Sequence, residues 1–483
     1  MAIIESTTVY LVVATFLVGY YTYKWIIYPL YLSPLSKIPG PRPDHFLLGN
    51  FLEIVKPKGG VHWAEKYGNI YRCHGLFNRP LVYVLDEKNV QKVLLSGTYT
   101  KFSIRKEFVI TLTKIVGNGI LAVDGDIHKK QRRLMNPLFN NHSIKDMIPK
   151  FTRITNKLKD IWRDEIKNSQ NVNNDIDKKS AIFDIGNYMG RLSMDIIGIV
   201  GFNSEINSLI ESSKLVDSLT TLFDTRNASI EIEKITRKLV QDKLDELKKG
   251  ELDSNDMISG LLKANYGQTD TNEQMSFEEI RNQIMTFLIA GHESTGVTMA
   301  WALYYLSKDQ EIQDKLREEI VKEFPDKDFE PNFEQINSME YLNAVCKETL
   351  RISPPAQLVG RVAKEDVILD GYLIPKDTTI YVPIYQIHHL ASIWGDDVEK
   401  FNPSRWFTEK VKGFSQYKHM PFSAGQRTCM GNKFALNEIK VALCILLRNF
   451  QFHEVEGFKV TTKANLILRP DPTVKLWVSE IDY

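Results

Sequence analysis

One cysteine in a glycine-containing loop is the residue of this chain best placed for chemistry. The stretch Phe422-Ser423-Ala424-Gly425-Gln426-Arg427-Thr428-Cys429-Met430-Gly431 runs straight into a helical pattern from Asn432 to Phe450. A cysteine just before a helix faces free backbone N–H groups and the positive end of the dipole, which favour thiolate over thiol. A thiolate ligates metals, and on haem iron it pushes electron density towards bound dioxygen and favours O–O cleavage. Gly425 permits a tight turn with positive φ, and Gly431 lets the backbone lie close to a flat macrocycle. Arg427 is within reach of a haem propionate, a carboxylate that arginine binds well, and Phe422 would cover the sulfur. The bland alternative is a small buried core residue, the usual fate of a free cysteine.

Two further stretches carry suitable groups. Ala290-Gly291-His292-Glu293-Ser294-Thr295 lies in the middle of a helical run that starts at the capping box Ser276-Phe277-Glu278-Glu279 and reaches about Leu306. Such a helix is roughly 45 Å long and should cross a whole domain. Gly291 is costly there and needs a reason, either a ligand against the backbone or a local opening of the hydrogen-bond ladder. In the helical pattern Asn343 to Ile352, Glu348 and Arg351 share one face. An isolated pair of that kind is usually a surface salt bridge of little value.

The pattern Phe-x-x-Gly-x-Arg-x-Cys-x-Gly fixes five positions in ten residues and resembles the haem-binding loop of the cytochrome P-450 monooxygenases. The resemblance implies that Cys429 is the axial ligand of haem b. It makes Ala290–Thr295 similar to the oxygen-activation motif, with Glu293 the acid, Ser294 the hydroxyl and Thr295 beside it, relaying protons to iron-bound dioxygen. The family more often has threonine where Ser294 stands; serine keeps the hydroxyl but loses a methyl and some rotamer restriction, so coupling of oxygen to substrate could be looser. Glu348 and Arg351 would be buried and joined by Arg405 of Phe401-Asn402-Pro403-Ser404-Arg405-Trp406, a structural network behind the haem. Arg132 and Arg361 fall where family members bind the propionates, and His128 replaces the usual tryptophan while still able to donate a hydrogen bond. Lys129, Lys130 and Arg133 read as a solvated basic face, on the side where an acidic electron donor would dock.

Composition bounds what these residues can belong to. The 483-residue chain is 43% hydrophobic and 25% charged, with ample material for a core in one large domain or two to three ordinary ones. Its net charge of +1 gives no reason to expect nucleic acid as a partner. Four unpaired-looking cysteines (Cys73, Cys346, Cys429, Cys444) are neither a disulfide framework nor a zinc site and suit a reducing compartment.

The first 32 residues read as an uncleaved membrane anchor. Val9 to Tyr23 carries no charge, the apolar run resumes after Lys24, and roughly 20 residues span a bilayer. Lys24, Lys37 and Arg42 follow the span, which sets the bulk of the chain in the cytosol. Residues 33–45 hold four prolines between Pro34 and Pro43, which exclude helix and predict a stiff extended hinge. Residues 46–483 then form the catalytic domain.

The elements expected in that domain are mainly α with a small β portion, the cytochrome P-450 fold. A helix from Val61 is followed by strands at Tyr71–His74 and Leu81–Leu85, then helix to Leu95. Gly125–Arg133 opens another helix, and Phe151–Glu251 is helical apart from an exposed loop over Asn168–Lys179. Phe202, Leu219 and Phe223 are either pocket or core residues; His292 reads as a core or surface histidine. Strands follow at Ala356–Ala363, Val367–Leu373 and Thr379–Val382, with turns at Asp370-Gly371 and Pro375-Lys376-Asp377, and Gln357, Leu358 and Val359 would face the substrate if the resemblance holds. His388 and His389 fall in a loop, near the propionates or on the surface, and Phe452–Val478 alternates as a hairpin.

The resemblance implies a haem-thiolate monooxygenase of an apolar small molecule (lipid, sterol, terpenoid or xenobiotic), anchored in the endoplasmic reticulum membrane. Its electrons would come from NADPH through a flavoprotein, the NADPH–cytochrome P-450 reductase, with cytochrome b5 as a second donor. One rival is a haem-thiolate isomerase or dehydratase, against which Glu293 and Ser294 argue; the other is a non-catalytic haem or lipid binder. The sequons Asn141-His142-Ser143 and Asn227-Ala228-Ser229 would matter only for a lumenal domain.

Overall fold

The computed structural model describes residues 2–56, 58–173, 180–211, 226–464 and 467–481. Helix α1 (Ala2–Thr22) continues as wider π turns over Tyr23–Leu32. Residues Thr8–Leu32 are long and apolar enough to cross a membrane, and Val9, Leu11, Phe16 and Val18 stand exposed. The expectation of a helix-free stretch at 34–43 is corrected by a 3-10 turn at Pro34–Lys37, in which Ser33 Oγ accepts from Leu35 N at 3.3 Å. Proline suits a first helical turn, whose N–H groups lack partners anyway. Leu35 and Ile38 are buried, so this segment packs instead of running free.

The chain continues through α2 (Val61–Tyr67), β1 (Ile70–His74), β2 (Pro80–Val84), β3 (Phe102–Ser103), α3 (Lys106–Val116) and α4 (Gly125–Met135). Next come α5 (Asn141–Asn173), β4 (Ser180–Asp184), α6 (Ile185–Phe202), α7 (Arg226–Lys249) and α8 (Met257–Tyr266). The long helix α9 (Phe277–Lys308) precedes α10 (Gln310–Glu323) and α11 (Glu340–Ile352). Then follow β5 (Val359–Ala363), β6 (Val367–Leu369), β7 (Tyr372–Ile374), β8 (Thr379–Val382) and α12 (Ile384–His388). Helix α13 (Asn432–Asn449) leads to β9 (Phe450–Glu454), β10 (Thr461–Ala464), β11 (Leu468–Asp471) and β12 (Lys475–Glu480).

These elements form two compact units. One comprises Met1–Arg105, Ala356–Glu399 and Phe414–Thr428. Its sheet has the order β1-β2-β8-β5-β3, with β2 parallel to β8 and the other pairs antiparallel. Tyr71, Val82, Val84, Ile380 and Val382 fill its core, as β-branched and aromatic residues do on a buried pleated face. The stretch 367–373 is divided at the expected Asp370-Gly371 turn into two strands, β6 and β7, because both residues adopt positive φ and turn the chain back.

The other unit comprises Lys106–Pro355, Lys400–Gly413 and Cys429–Tyr483 and is mostly helical. Helix α9 spans about 48 Å over its 32 residues. Its capping box is complete: Ser276 Oγ accepts from Glu279 N at 3.2 Å and Glu279 Oε2 accepts from Ser276 N at 2.9 Å. Helix α6 packs along it, and a Cβ on Gly296 would stand 3.0 Å from Gly190 Cα.

Three expectations fail here. Helix α5 continues to Asn173, so 168–173 is not a loop, while 174–179 lie outside the described residues. The helical stretch Phe151–Glu251 contains strand β4, which pairs with β12 nearly three hundred residues later and buries Phe183 on Trp162, centroids 5.1 Å apart. The C-terminal region is not one hairpin: β9 and β12 join β4 in a three-stranded sheet, and only β10 and β11 form a hairpin. Partners so distant in sequence leave no local periodicity to read.

Candidate active site

Cys429 precedes α13, whose N-cap is Gly431. It is the exposed one of four free thiols; Cys73, Cys346 and Cys444 are buried. Protein nonetheless surrounds the Cys429 sulfur closely enough that desolvation raises its pKa, while the Gly431 amide and the Arg132 guanidinium pull it down. Desolvation pushes the Cys346 thiol up to about 11 and leaves it a core residue. A Cβ on Gly431 would lie 3.8 Å from Phe139 Cε1 and 4.0 Å from Cys429 Sγ, so no protein atom demands glycine there. A Cβ would therefore fit beside the sulfur, and the glycine there leaves that space to a ligand.

The loop before Cys429 belongs to the unit of the five-stranded sheet. Gly425 has φ +76°, and a Cβ on it would meet Leu94 O at 2.0 Å, so only glycine fits. Thr428 Oγ1 donates to Phe422 O at 3.2 Å and closes the loop; Phe422 and Arg427 are half-buried. In the same unit Arg361 is buried on β5, opposite Ile380, and Leu358 is exposed between half-buried Gln357 and Val359. A surface place for His388 and His389 is corrected: both are buried, and His388 Nε2 accepts from Met420 N at 3.0 Å.

Helix α4 carries His128 and Arg132 four residues apart, hence on one face. His128 is buried, whereas Lys129 and Arg133 are exposed and paired with Asp126 and Glu273. Lys130 is half-buried and donates to Gln274 O at 3.1 Å.

Helix α9 is buried from Asn282 to Ile289 and again at Thr295 and Gly296, yet Ala290 is exposed and Gly291–Ser294 are half-buried. That opening in mid-helix is where the acid and hydroxyls sit. Ser294 Oγ donates to Ala290 O at 2.8 Å, and Thr295 Oγ1 to Gly291 O at 2.7 Å. Of the two reasons expected for Gly291, a local opening of the hydrogen-bond ladder is not found, since the helix is unbroken there; a Cβ would also stand 3.2 Å from Ile197 Cδ1 of α6. His292 Nδ1 lies 2.9 Å from Leu288 O, and burial lowers its pKa.

Three residues near this segment escaped sequence reading. Arg469 of β11 donates Nη2 to Glu293 Oε1 at 2.6 Å. Ser193 of α6 shares a 2.5 Å hydrogen bond with Thr295. Glu438 of α13 is fully buried; neither oxygen has a well-formed hydrogen bond, though the Ser193 and Thr295 hydroxyls are near enough to lower its pKa slightly. Desolvation outweighs them and pushes it up to about 8. Only Glu438 left a signal, an acidic residue on the apolar face with Phe434, Val441 and Ile445.

Glu348, Arg351 and Arg405 come together, all buried. Glu348 Oε1 accepts from Arg351 Nη2 (2.9 Å), Arg405 Nε (2.9 Å) and Asn402 N (3.0 Å). Its Oε2 accepts from Arg351 Nε (3.0 Å) and Trp406 Nε1 (3.0 Å), a contact the sequence did not suggest. Phe202 lies in the core, and Leu219 and Phe223 lie outside the described residues.

This donor set fits a haem: an accessible sulfur at a helix start, room beside Gly431, a nearby arginine and an opening in mid-α9. A family model described as cytochrome P-450 matches residues 39–478. The chain is 30% identical to cytochrome P-450 monooxygenase 205 of Postia placenta, over 91% of this chain and 90% of that relative. It is 29% identical to cytochrome P-450 3A2 of Rattus norvegicus, over 91% of each chain. To cytochrome P-450 monooxygenase claW of Ampulloclitocybe clavipes it is 28% identical, over 91% and 90%.

Proposed function

We propose, from the premise that this chain belongs to the cytochrome P-450 family of haem-thiolate monooxygenases, that Cys429 holds the haem iron and that the substrate is an apolar small molecule: a lipid, sterol, terpenoid or xenobiotic. The haem supplies dioxygen activation, and the protein supplies orientation, access and protons. At the start of α13 desolvation raises the Cys429 pKa, and the Gly431 amide and the Arg132 charge work against it in favour of the thiolate. Gly425 sets the turn, Phe422 covers the sulfur, and Arg427, Arg361, Arg132 and His128 take the propionates.

Glu293, half-buried at the opening of α9, collects protons from solvent. The Ser294 and Thr295 hydroxyls pass them on; each now donates to a helix carbonyl and must rotate to do so. Glu348, Arg351 and Arg405 keep the scaffold rigid. Electrons arrive from NADPH through a flavoprotein reductase, with cytochrome b5 as a second donor, at the face bearing Lys129, Lys130 and Arg133. Residues 1–32 anchor the chain in the endoplasmic reticulum membrane, 33–45 form the hinge, and 46–483 work in the cytosol; the apolar run Thr8–Leu32 with Lys37 and Arg42 after it supports this.

The observation that carries the reading is the exposed Cys429 thiol beside an N-terminal helix turn with room at Gly431. The test is the absorbance of the reduced, carbon-monoxide-bound protein. A Soret band red-shifted as thiolate ligation requires, and lost in Cys429→Ala, is expected; a band at the position of histidine ligation would overturn it.

A further inference from the structure

The hairpin β10–β11 places an arginine on the acid of α9. Arg469 Nη2 donates to Glu293 Oε1 at 2.6 Å, the short distance of a charge-assisted bond. The acid's side chain is 19% exposed and the arginine's 36%, so the pair is neither a solvated surface bridge nor a sealed one. What fixes Arg469 is its neighbour: Leu468 is fully buried, and its N–H donates to Pro355 O at 2.9 Å. Lys463 stands directly opposite Arg469 in the ladder and adds a second positive charge to the hairpin.

The contact is one-armed. Arg469 Nε is buried and donates to no acceptor among the described residues, so the guanidinium does not grip the carboxylate as a two-pronged fork. A contact of this form holds an ionised carboxylate and weakens once a proton neutralises it. Of the other titratable groups, His292 turns its Nδ1 to Leu288 O while its ring lies within reach of the Glu293 charge.

We propose that Arg469 is a positioning residue for Glu293: it latches the carboxylate to the β10–β11 hairpin, and proton uptake by Glu293 opens the latch. The inference rests on the reading of Glu293 as the proton-collecting acid. In that reading the carboxylate accepts a proton from water at its exposed edge, leaves Arg469, turns inward and gives the proton up. It returns ionised to the arginine. The hairpin therefore sets how often the acid is delivered.

The experiment uses the haem-loaded full chain with NADPH–cytochrome P-450 reductase, and the variants R469Q, R469K, E293Q and R469Q/E293Q. Amide hydrogen exchange over Thr461–Ala464 and Leu468–Asp471 reads the latch without turnover. R469Q and E293Q are each expected to speed it by about threefold to tenfold, the double variant no further, and R469K to recover most of the protection. The share of NADPH electrons released as hydrogen peroxide reads the chemistry, and R469Q is expected to change it about threefold. Unchanged exchange in R469Q, or additive effects in the double variant, would overturn the latch. A peroxide share altered by E293Q but not by R469Q removes Arg469 alone from the mechanism. A share that E293Q leaves unaltered removes the acid reading itself. Should R469Q not fold, E293Q against wild type carries the exchange comparison, and unchanged exchange there overturns the latch.

Discussion

Arg405 donates Nε to Glu348 Oε1 at 2.9 Å across 57 residues of sequence, with the arginine almost completely and the glutamate completely buried. The same carboxylate accepts both ends of Arg351, an indole N–H and a backbone N–H. Two cations therefore share one anion away from water. The anion is tolerable because every lone-pair direction is occupied, and the cations because it is there.

Removing that anion takes from two buried guanidinium groups the carboxylate they share. Glu348→Gln is expected to lower unfolding stability by about 3–5 kcal/mol, read as a lower urea midpoint at unchanged slope. Glu348→Asp should fare little better, since a shorter side chain cannot reach Asn402 N, Trp406 and both arginines at once. A midpoint within experimental scatter of wild type would show that the network is not a structural keystone.

Glu438 makes stability depend on pH in an unusual direction. Burial pushes its pKa up to about 8, against an ordinary carboxylate value of 4.5. Between those values the folded chain binds a proton that the unfolded chain has released, so stability falls as pH rises. The contribution is complete below pH 4.5 and is lost as pH climbs through 8. Glu438→Gln keeps the shape without the proton and should flatten that slope, about 1.4 kcal/mol per unit at most over the window. Thermal midpoints of both proteins at pH 5, 7 and 9 check it. Parallel curves would mean that Glu438 is ionised in the folded chain.

Local chemistry was legible; long-range pairing was not. The capping box at Ser276, the α9 length and the turn at Asp370-Gly371 each follow from residues within a few positions, and the structure has them. Cys429 and Gly425 could be singled out because a loop before a helix carries its own signals. Strand β4 and Arg469 could not: β4 is a strand only because β12 lies beside it, and Arg469 meets Glu293 across 176 residues. Gly291 shows a subtler limit. The sequence asks for a reason for glycine, and the crowding found at its Cβ, 3.2 Å from Ile197 Cδ1, comes from another helix.

The two loop glycines are expected to separate folding from ligand binding. At Gly425 a Cβ would overlap Leu94 O at 2.0 Å in a backbone with φ +76°, so Gly425→Ala should destabilise by at least about 2 kcal/mol. At Gly431 a Cβ meets only Phe139 and Cys429 at ordinary contact distances. Gly431→Ala should therefore leave the urea midpoint of haem-free protein nearly unchanged while lowering the haem retained per chain. Equal loss of stability in the two variants would refute the distinction.

Ser294 tests whether a hydroxyl held to its own helix can still serve as a relay. Its Oγ donates to Ala290 O at 2.8 Å, and releasing it costs about one ordinary hydrogen bond. Serine can rotate away more freely than threonine, whose β-branch restricts χ1. Ser294→Ala removes the donor and is expected to raise the peroxide released per NADPH by about tenfold, less than the roughly hundredfold or more of losing a proton-transfer group outright, because the Thr295 hydroxyl remains. Ser294→Thr keeps the hydroxyl in a narrower set of rotamers and should lower peroxide below wild type. If alanine and threonine shift it the same way, the side chain at 294 acts through packing alone and Thr295, already bonded to Gly291 O and Ser193, becomes the hydroxyl to test.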